Sequence, residues 1–575
     1  MQNWVRTVDC SLPPLTSGGS QGIKGLGLGS KRTSTGIMNR GERLQKVLEW
    51  LKDAGAEGLD RVRLSKTVSL KDVSSDPLCE EEYACFVTDN VPMGSCVLRV
   101  PLICLISVEM GMATSIGERI LRHELETGEV LDLTAPKHCF LALFLLTDRR
   151  DPQSWYQPYY NSLPATFPNI PLFWDMDDIA TLRGCHLLYL VKDRLENLEA
   201  DYQVICSVAP QFSEVCTVAE WVWARMVVAS RNFGVEIEGM RTDVLCPLCD
   251  MLNHRRPRQT KWQFDQASES FVVEATVDLD AGAELLDSYG RKCNTRYLLN
   301  YGFCVQDNRD PDGRCYNEWR IFVALDPRDR ALQLKRCLAA GVMYRTTRGA
   351  GTGTVEGVFS LGEHSEIEVV EEEEEEEEDE EDEKVESGGS SSARPATVFG
   401  KGVRISMHHD DPSSREALSL ARFACASSER GRHSELAALP PLSDLDLNSV
   451  DDFILPISRD NEADVLELVG ACAREQIARY GSRAEAEQVG SGGEGATKFK
   501  NVRQMFAQWL VAGECEVCRY WLRCEELLVP LLRHKLPRTA RKQALDLAES
   551  PELDLPYCAL RRYILDVVLP LLEME

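Results

Sequence analysis

Apolar positions recur along this chain with two different periods, and each change of period marks a part. Leu44, Val47, Leu48 and Leu51 stand at i, i+3, i+4 and i+7, the stripe of an amphipathic helix closed by Gly55. From Tyr83 to Ser107 that spacing is lost. Phe86-Val87, Val97-Leu98-Arg99-Val100 and Cys104-Leu105-Ile106 are short β-type runs broken by Asn90, Pro92-Met93-Gly94 and Pro101. Residues 137–233 are predicted mostly helical, with Leu187, Leu188, Val191, Leu195 and Leu198 on one buried face and Trp221, Ala224, Met226, Val227 and Val228 on another helix. Ahead of these helices, Trp155-Tyr156-Gln157-Pro158-Tyr159, Leu163-Pro164 and Pro171-Leu172-Phe173-Trp174 interleave aromatics with prolines, which predicts a packed irregular segment. Residues 243–304 return to strands at Val244 to Leu248, Phe271-Val272-Val273 and Leu285-Leu286.

After Cys304 the character changes again. Residues 347–396 are low in complexity, with Gly/Thr repeats, thirteen consecutive acids from Glu371 to Glu383, and a Gly/Ser tail. Such a segment has too little apolar area to offset chain entropy and is expected to be disordered. From Arg415 helical stripes resume at Leu466, Val469, Ala473, Ile477 and Tyr480, then at Val502, Met505, Phe506, Trp509 and Leu510, then at Leu560, Tyr563, Ile564, Val567 and Val568. The expected division is a leader over 1–41, a β-rich domain over 42–304 with its helical insertion at 137–233, and a connection over 305–346. An acidic insertion over 347–396 and a helical domain over 397–575 follow.

Composition changes this picture at a few points. Hydrophobic content of 43% and charged content of 27% in 575 residues are ordinary for a globular chain with large cores. Removing the thirteen acids of the run from the net charge of −28 leaves −15, and there is no Lys/Arg run of five or more. A sequence-general nucleic-acid surface is therefore not expected; the acidic background points to protein partners, basic ones among them. The 21 cysteines follow no regular spacing and many, such as Cys139, Cys206 and Cys304, sit in apolar runs. They read as reduced, buried thiols. Cys246/Cys249 and Cys515/Cys518 have metal-ligand spacing but lie in strand-like and helix-like stretches, so no metal site is expected. No apolar run reaches membrane-spanning length, and neither a membrane partner nor oligomerisation is predicted. A cytoplasmic location is expected, or an organelle if the Ser/Thr/Gly-rich residues 1–41 act as a transit peptide.

The residues that point to chemistry lie between 230 and 303. Asp250-Met251-Leu252-Asn253-His254 is followed by Asp287-Ser288-Tyr289-Gly290 and then Asn300-Tyr301-Gly302-Phe303, with Ser230-Arg231-Asn232-Phe233 upstream. By residue type alone, each is either a functional group or a core side chain. In this order and separation they closely resemble the catalytic end of SET-domain protein methyltransferases. The branch is that of the RuBisCO large-subunit lysine methyltransferase and the actin-histidine methyltransferase, and the likeness extends over roughly 43 to 575. The Trp-x-x-Pro-Tyr and Leu-Pro signatures of the insertion and, more loosely, Asn501-Val502-Arg503 through Gly513-Glu514 belong to it.

The resemblance implies an α+β fold: a β-rich SET domain with helical insertion and pseudoknot-like C-terminal segment, followed by an all-helical substrate-binding domain. It implies S-adenosylmethionine as cofactor and a protein substrate whose lysine accepts the methyl group, on a non-histone protein. Tyr289 is then the catalytic residue, its hydroxyl orienting the amine. Glu81, Glu82, Tyr83, Arg231, Asn253, His254 and Tyr289 fall at cofactor positions, and Arg231, Asp250, Tyr301 and Phe303 at acceptor positions. The histidine-specific member carries an Asn two residues after the motif arginine and a Trp before the Asp-Met. Phe233 and Cys249 stand there in this chain, which favours lysine. One loop departs from the family. Where members keep Glu-Gly-x-Gly, this chain has Glu81-Glu82-Tyr83-Ala84, which would crowd a site of close backbone approach. Arg296 likewise stands where an acidic residue is common. A catalytically weak SET protein acting as a binding module is the alternative from another class.

Overall fold

Asn39 starts the first helix, α1 (Arg40–Asp53). Its side chain accepts from Glu42 N at 2.9 Å, and the Glu42 carboxylate accepts from Asn39 N at 2.9 Å, a reciprocal cap. The predicted stripe is buried at Leu44, Val47 and Leu51, with Trp50 beside it. The computed structural model describes residues 38–66, 83–323, 402–426, 455–481, 483, 499, 501–553 and 558–573. The expected leader (but for its last four residues), the acidic insertion, Glu81 and Glu82 lie outside them. Among the described residues, no helix is long and apolar enough to cross a membrane, and every cysteine is a free thiol.

The described residues of 15–306 and 492–510 form one compact unit, and those of 307–491 and 511–575 another. The first unit is built on short sheets. β1 (Val62–Lys66) pairs antiparallel with β2 (Tyr83–Val87). β3 (Cys96–Pro101), β4 (Ile106–Ser107), β5 (Asn232–Ile237) and β6 (Met240–Leu245) come next along the chain, then β7 (Asn253–His254), β8 (Thr260–Asp265), β9 (Ser270–Ala275) and β10 (Leu286–Asp287). They form the antiparallel sheets β3-β9-β8 and β4-β6-β5 and the parallel pair β7-β10. Leu98, Val100, Phe271, Val273, Val244 and Leu245 fill the core between them. This matches the β-type runs read from the sequence at most positions; the exceptions are Leu102–Cys104, a 3₁₀ turn ahead of β4, and the run expected from Val244 to Leu248, which ends as a strand at Leu245.

Helices α2 (Val108–Met112), α3 (Ser115–Thr127), α4 (Pro136–Asp148), α5 (Gln157–Ser162), α6 (Met176–Ala180), α7 (Leu187–Val208), α8 (Phe212–Val215) and α9 (Val218–Arg231) form the insertion. It begins earlier than the expected residue 137. Thr114 caps α3 through Gly117 N at 3.0 Å, and Gly128, at φ 72°, ends it, but with only Ile116, Gly117 and Ile120 buried the stripe is too short to register as a period. The Pro/aromatic segment also holds a helix. Pro158 sits in the first turn of α5, where its missing N–H breaks no hydrogen bond. Ahead of the aromatic end of the unit comes α10 (Asn294–Tyr301), closed by Gly302 at φ 78°.

Two boundaries differ from the expected ones. The sequence pattern places residues 492–510 in the helical domain, yet they group with the first unit. The cause is the buried carboxylate of Asp178 on α6, which accepts from Asn501 Nδ2 and Arg503 Nη1, each at 2.8 Å. The second unit, in turn, is not wholly helical, and 305–346 is more than a connection. β11 (Glu318–Ile321) pairs antiparallel with β12 (Val403–Ser406), and Trp521 Nε1 donates to Ser406 O at 2.9 Å. The helices Pro412–Cys425 and Arg459–Tyr480 follow, with Val502–Leu532 from residue 511 onward and Pro537–Ala548. A buried Arg422–Glu462 pair at 2.8 and 2.9 Å holds the first two of these together.

Candidate active site

The parallel pairing of β7 and β10 sets Leu286 opposite Asn253 and Asp287 opposite His254, so two motifs 35 residues apart become neighbours. Thr260 Oγ1 locks the pair from β8 by donating to Leu286 O at 3.0 Å. Just past β10, Tyr289 N donates to His254 Nδ1 at 2.9 Å, which places the proton of the neutral ring on Nε2. The ring is held neutral: burial, Arg256 and Lys292 push the imidazole down to about 4. Asn253 lies at the surface and donates to Glu284 Oε1 at 2.7 Å.

Tyr289 stands in an aromatic cluster. Its ring centre lies 4.7 Å from Tyr301, 5.3 Å from His254 and 6.1 Å from Phe303. Tyr297 stacks on Phe303 at 5.0 Å and donates its hydroxyl to Gly290 O at 2.6 Å. Tyr289 itself donates to Leu252 O at 2.8 Å, leaving its oxygen lone pairs available. Burial raises this phenol well above its ordinary value, with Arg231 acting in the opposite sense, so the hydroxyl keeps its proton. Burial pushes the neighbouring Tyr301 up to about 12.

Arg231 reaches this region because it ends α9 as the chain turns into β5. Thr217 and Glu220 fix the other end of that helix with a reciprocal cap. Arg231 Nη1 lies 3.2 Å from Asp250 Oδ2 and donates to Asp250 O at 3.1 Å. Tyr159 donates its hydroxyl to the same Oδ2 at 2.8 Å. The Asp250 carboxyl is only 1% exposed, and burial raises it above the usual carboxylate range against the pull of Arg231 and Tyr159. Arg231 Nε and Asp250 Oδ1 are buried and hydrogen-bond to no described group.

The structure thus gathers Arg231, Asp250, His254, Tyr289, Tyr301 and Phe303. Tyr83 is elsewhere engaged: its hydroxyl lies at the start of α1, where a Cβ on Gly41 would come within 2.8 Å of it. Ala84 is fully buried in β2. Phe233 packs edge-on against Trp262 and Phe271, with centroids at 5.1 and 5.0 Å, and Cys249 is buried. Sequence reasoning gives no role to two residues of this arrangement. Tyr159 is visible only as the last residue of the Trp-x-x-Pro-Tyr signature, and Tyr297 only as an aromatic one helical turn before Tyr301.

No family model matches the chain. Among curated proteins it is 33% identical over 176 residues to the ribosomal lysine N-methyltransferase set10 of Schizosaccharomyces pombe, covering 30% of this chain and 32% of that one. It is 24% identical over 274 residues to the actin-histidine N-methyltransferase of Canis lupus familiaris, covering 46% and 43%. The matched region thus spans less than half the length of either relative. Among solved structures it resembles the SET domain of LSMT bound to lysine and AdoHcy, with a TM-score of 0.57 at 15% identity over 89% of this chain and 97% of that one.

Proposed function

We propose, on the premise that this chain carries the SET-domain fold, that it is an S-adenosylmethionine-dependent protein-lysine N-methyltransferase acting on a non-histone protein. The observation that carries this reading is the half-buried Tyr289, its hydroxyl anchored on Leu252 O and its ring walled by Tyr301 and Phe303. When bound, the cofactor supplies an electrophilic methyl group on a sulfonium. The chain's own task is to deliver a neutral amine in line with it. A lysine has a reference pKa of ~10.4, and an aromatic, desolvated channel disfavours its charged form. Tyr289 keeps its own proton on Leu252 O, so its oxygen can accept an amine N–H and orient the nitrogen lone pair.

The residues fit the cofactor's carboxylate at one point in particular. Arg231 Nε is buried without a partner among the described residues, and a guanidinium suits a carboxylate oxygen. Asn253 and His254 are the further cofactor positions of this reading. Asp250, Tyr301 and Phe303 face the acceptor, with Asp250 Oδ1 free for a donor. Phe233 and Cys249 support lysine over histidine, since they stand where the histidine-specific member carries an Asn and a Trp, and Phe233 is packed against Trp262 and Phe271. Calorimetry with S-adenosylmethionine, followed by labelling of a cell extract with tritiated cofactor and sequencing of the modified peptide, tests the reading. Absence of cofactor binding refutes it in favour of a binding module. Methylhistidine as the only product refutes the choice of acceptor.

A further inference from the structure

Two loops border the Tyr289–His254 pair, and both carry positive charge alone. Residues 251–264 hold Arg255, Arg256, Arg258 and Lys261 and no acid; residues 288–306 hold Arg291, Lys292 and Arg296 and no acid. In a chain with 92 acids and 64 bases, this is a local reversal of sign. The backbone ties the loops together. Arg255 N donates to Asp287 O at 2.8 Å, one residue beyond the paired strands, and Tyr289 N is hydrogen-bonded to His254. Their charges act on shared groups: Arg256 from one loop and Lys292 from the other both disfavour a proton on His254. Arg258 acts on Asp287, and Arg296 on Lys292.

Local acids do not neutralise this rim. Glu274 is paired with Lys261 at 2.7 Å and Asp287 is buried beneath Thr260; Glu284, which accepts from the neutral amide of Asn253, is left as a single acid against the cations of both loops. Arg255, Arg258 and Arg296 are exposed and form no ion pair among the described residues. We infer that loops 255–259 and 290–296 form an anion-reading rim around the acceptor site, and that the protein segments modified here carry Asp or Glu close to the acceptor. The inference rests on the methyltransferase reading and extends it from the reaction to the class of substrate. Guanidinium groups match carboxylates in geometry as well as charge, and rim charges act chiefly on encounter rate and partner choice.

The test uses the full chain and the variant Arg255→Gln/Arg258→Gln/Arg296→Gln. A dye-labelled octaglutamate peptide is titrated by fluorescence anisotropy, with octalysine and a 20-nucleotide oligothymidylate as comparison probes. S-adenosylmethionine affinity is measured by calorimetry on both proteins. Wild type is expected to bind octaglutamate with an affinity that falls with salt. The variant is expected to bind about tenfold more weakly, since three exposed charge contacts are each worth roughly twofold or a little more. Cofactor affinity stays unchanged. Modified peptides from the labelled extract should be enriched in Asp and Glu near the acceptor, and the variant should lose that labelling. Equal octaglutamate binding by the two proteins, or equal binding of octalysine, overturns the inference. Tighter binding of the oligonucleotide assigns the face to nucleic acid and overturns it too. A matching loss of cofactor affinity assigns the cations to the cofactor's carboxylate instead, and that also overturns it. An unlabelled extract with normal cofactor binding counts against the methyltransferase reading, while the anisotropy result still decides the rim.

Discussion

Replacing Tyr159 by Phe removes one hydroxyl and little volume, and it isolates the electrostatics of the buried Asp250. That carboxylate has two partners on Oδ2, the Tyr159 hydroxyl at 2.8 Å and Arg231 Nη1 at 3.2 Å. A hydrogen bond to a charged group is worth ~1.5–3 kcal/mol, and one to a neutral group ~0.5–1.5 kcal/mol. The variant should therefore lose about 2 kcal/mol at neutral pH. In a unit of this size that is a fall in Tm of roughly 4–8 °C. Burial already holds Asp250 above its ordinary value, and the Tyr159 bond pulls it down, so the variant's carboxyl must titrate higher still. A group with a raised folded value contributes most stability below that value and loses it as pH rises through it. The variant therefore recovers as pH falls, and its deficit shrinks to about 1 kcal/mol where Asp250 is protonated in both proteins. Melting curves taken in steps from pH 7.5 down to about pH 4, near the ordinary carboxyl value, follow this directly. A deficit that is missing at pH 7.5, or that does not shrink anywhere in that range, refutes the assigned role of Asp250.

Tyr289→Phe should leave cofactor affinity intact and lower turnover by ~10²-fold or more, the scale for losing one preorganised polar group; unchanged turnover in a single-turnover assay removes Tyr289 from the catalytic list. The depressed His254, at about 4 against an ordinary 6.5, predicts that stability falls as pH drops from 6.5 toward 4, because the unfolded chain takes up a proton that the folded chain does not. His254→Gln should flatten that part of the pH profile, and an identical slope in denaturant titrations would contradict the assignment. Asp178→Ala removes the carboxylate that accepts from both Asn501 and Arg503 and should cost at least ~1.5–3 kcal/mol, the scale for one hydrogen bond to a charged group; a loss under about 1 kcal/mol in the same titrations sinks the account of why 492–510 belongs to the first unit.

Much of the site was legible because its residues sit in short motifs with fixed neighbours. Asn253-His254 and Ser288-Tyr289-Gly290 are recognisable as strings, and the β7-β10 pairing then brings them together. Helices with long stripes, such as α1, α7 and α9, were legible for the same reason: their burial repeats often enough to show a period. What escaped was non-local. β12 has four residues and a partner more than eighty residues away, too little alternation to stand out among helices. Asp178 carries no local sign that Asn501 and Arg503 will complete it, and Tyr159 none that it will meet Asp250. The cationic rim was hidden by averaging, since a strongly acidic total conceals two short basic loops.

The Asp178–Arg503 contact has a further consequence, for the order in which the molecule is made. Its partners lie 325 residues apart. At a synthesis rate of about 5–20 residues per second, Asp178 leaves the ribosome roughly 15 to 65 seconds before Arg503 exists. Through that interval the nascent first unit holds a carboxylate that cannot be buried without cost, because Asn501 and Arg503, which donate to it, are still unmade. The stretch ending at residue 306 is thus contiguous in sequence but not a finished folding unit, and the last stage of its closure waits on the arrival of residues 501–503. A fragment ending at 306 should expose the Asp178 end of α6 to proteases that the full chain resists, and adding a peptide of residues 499–510 in trans should restore protection.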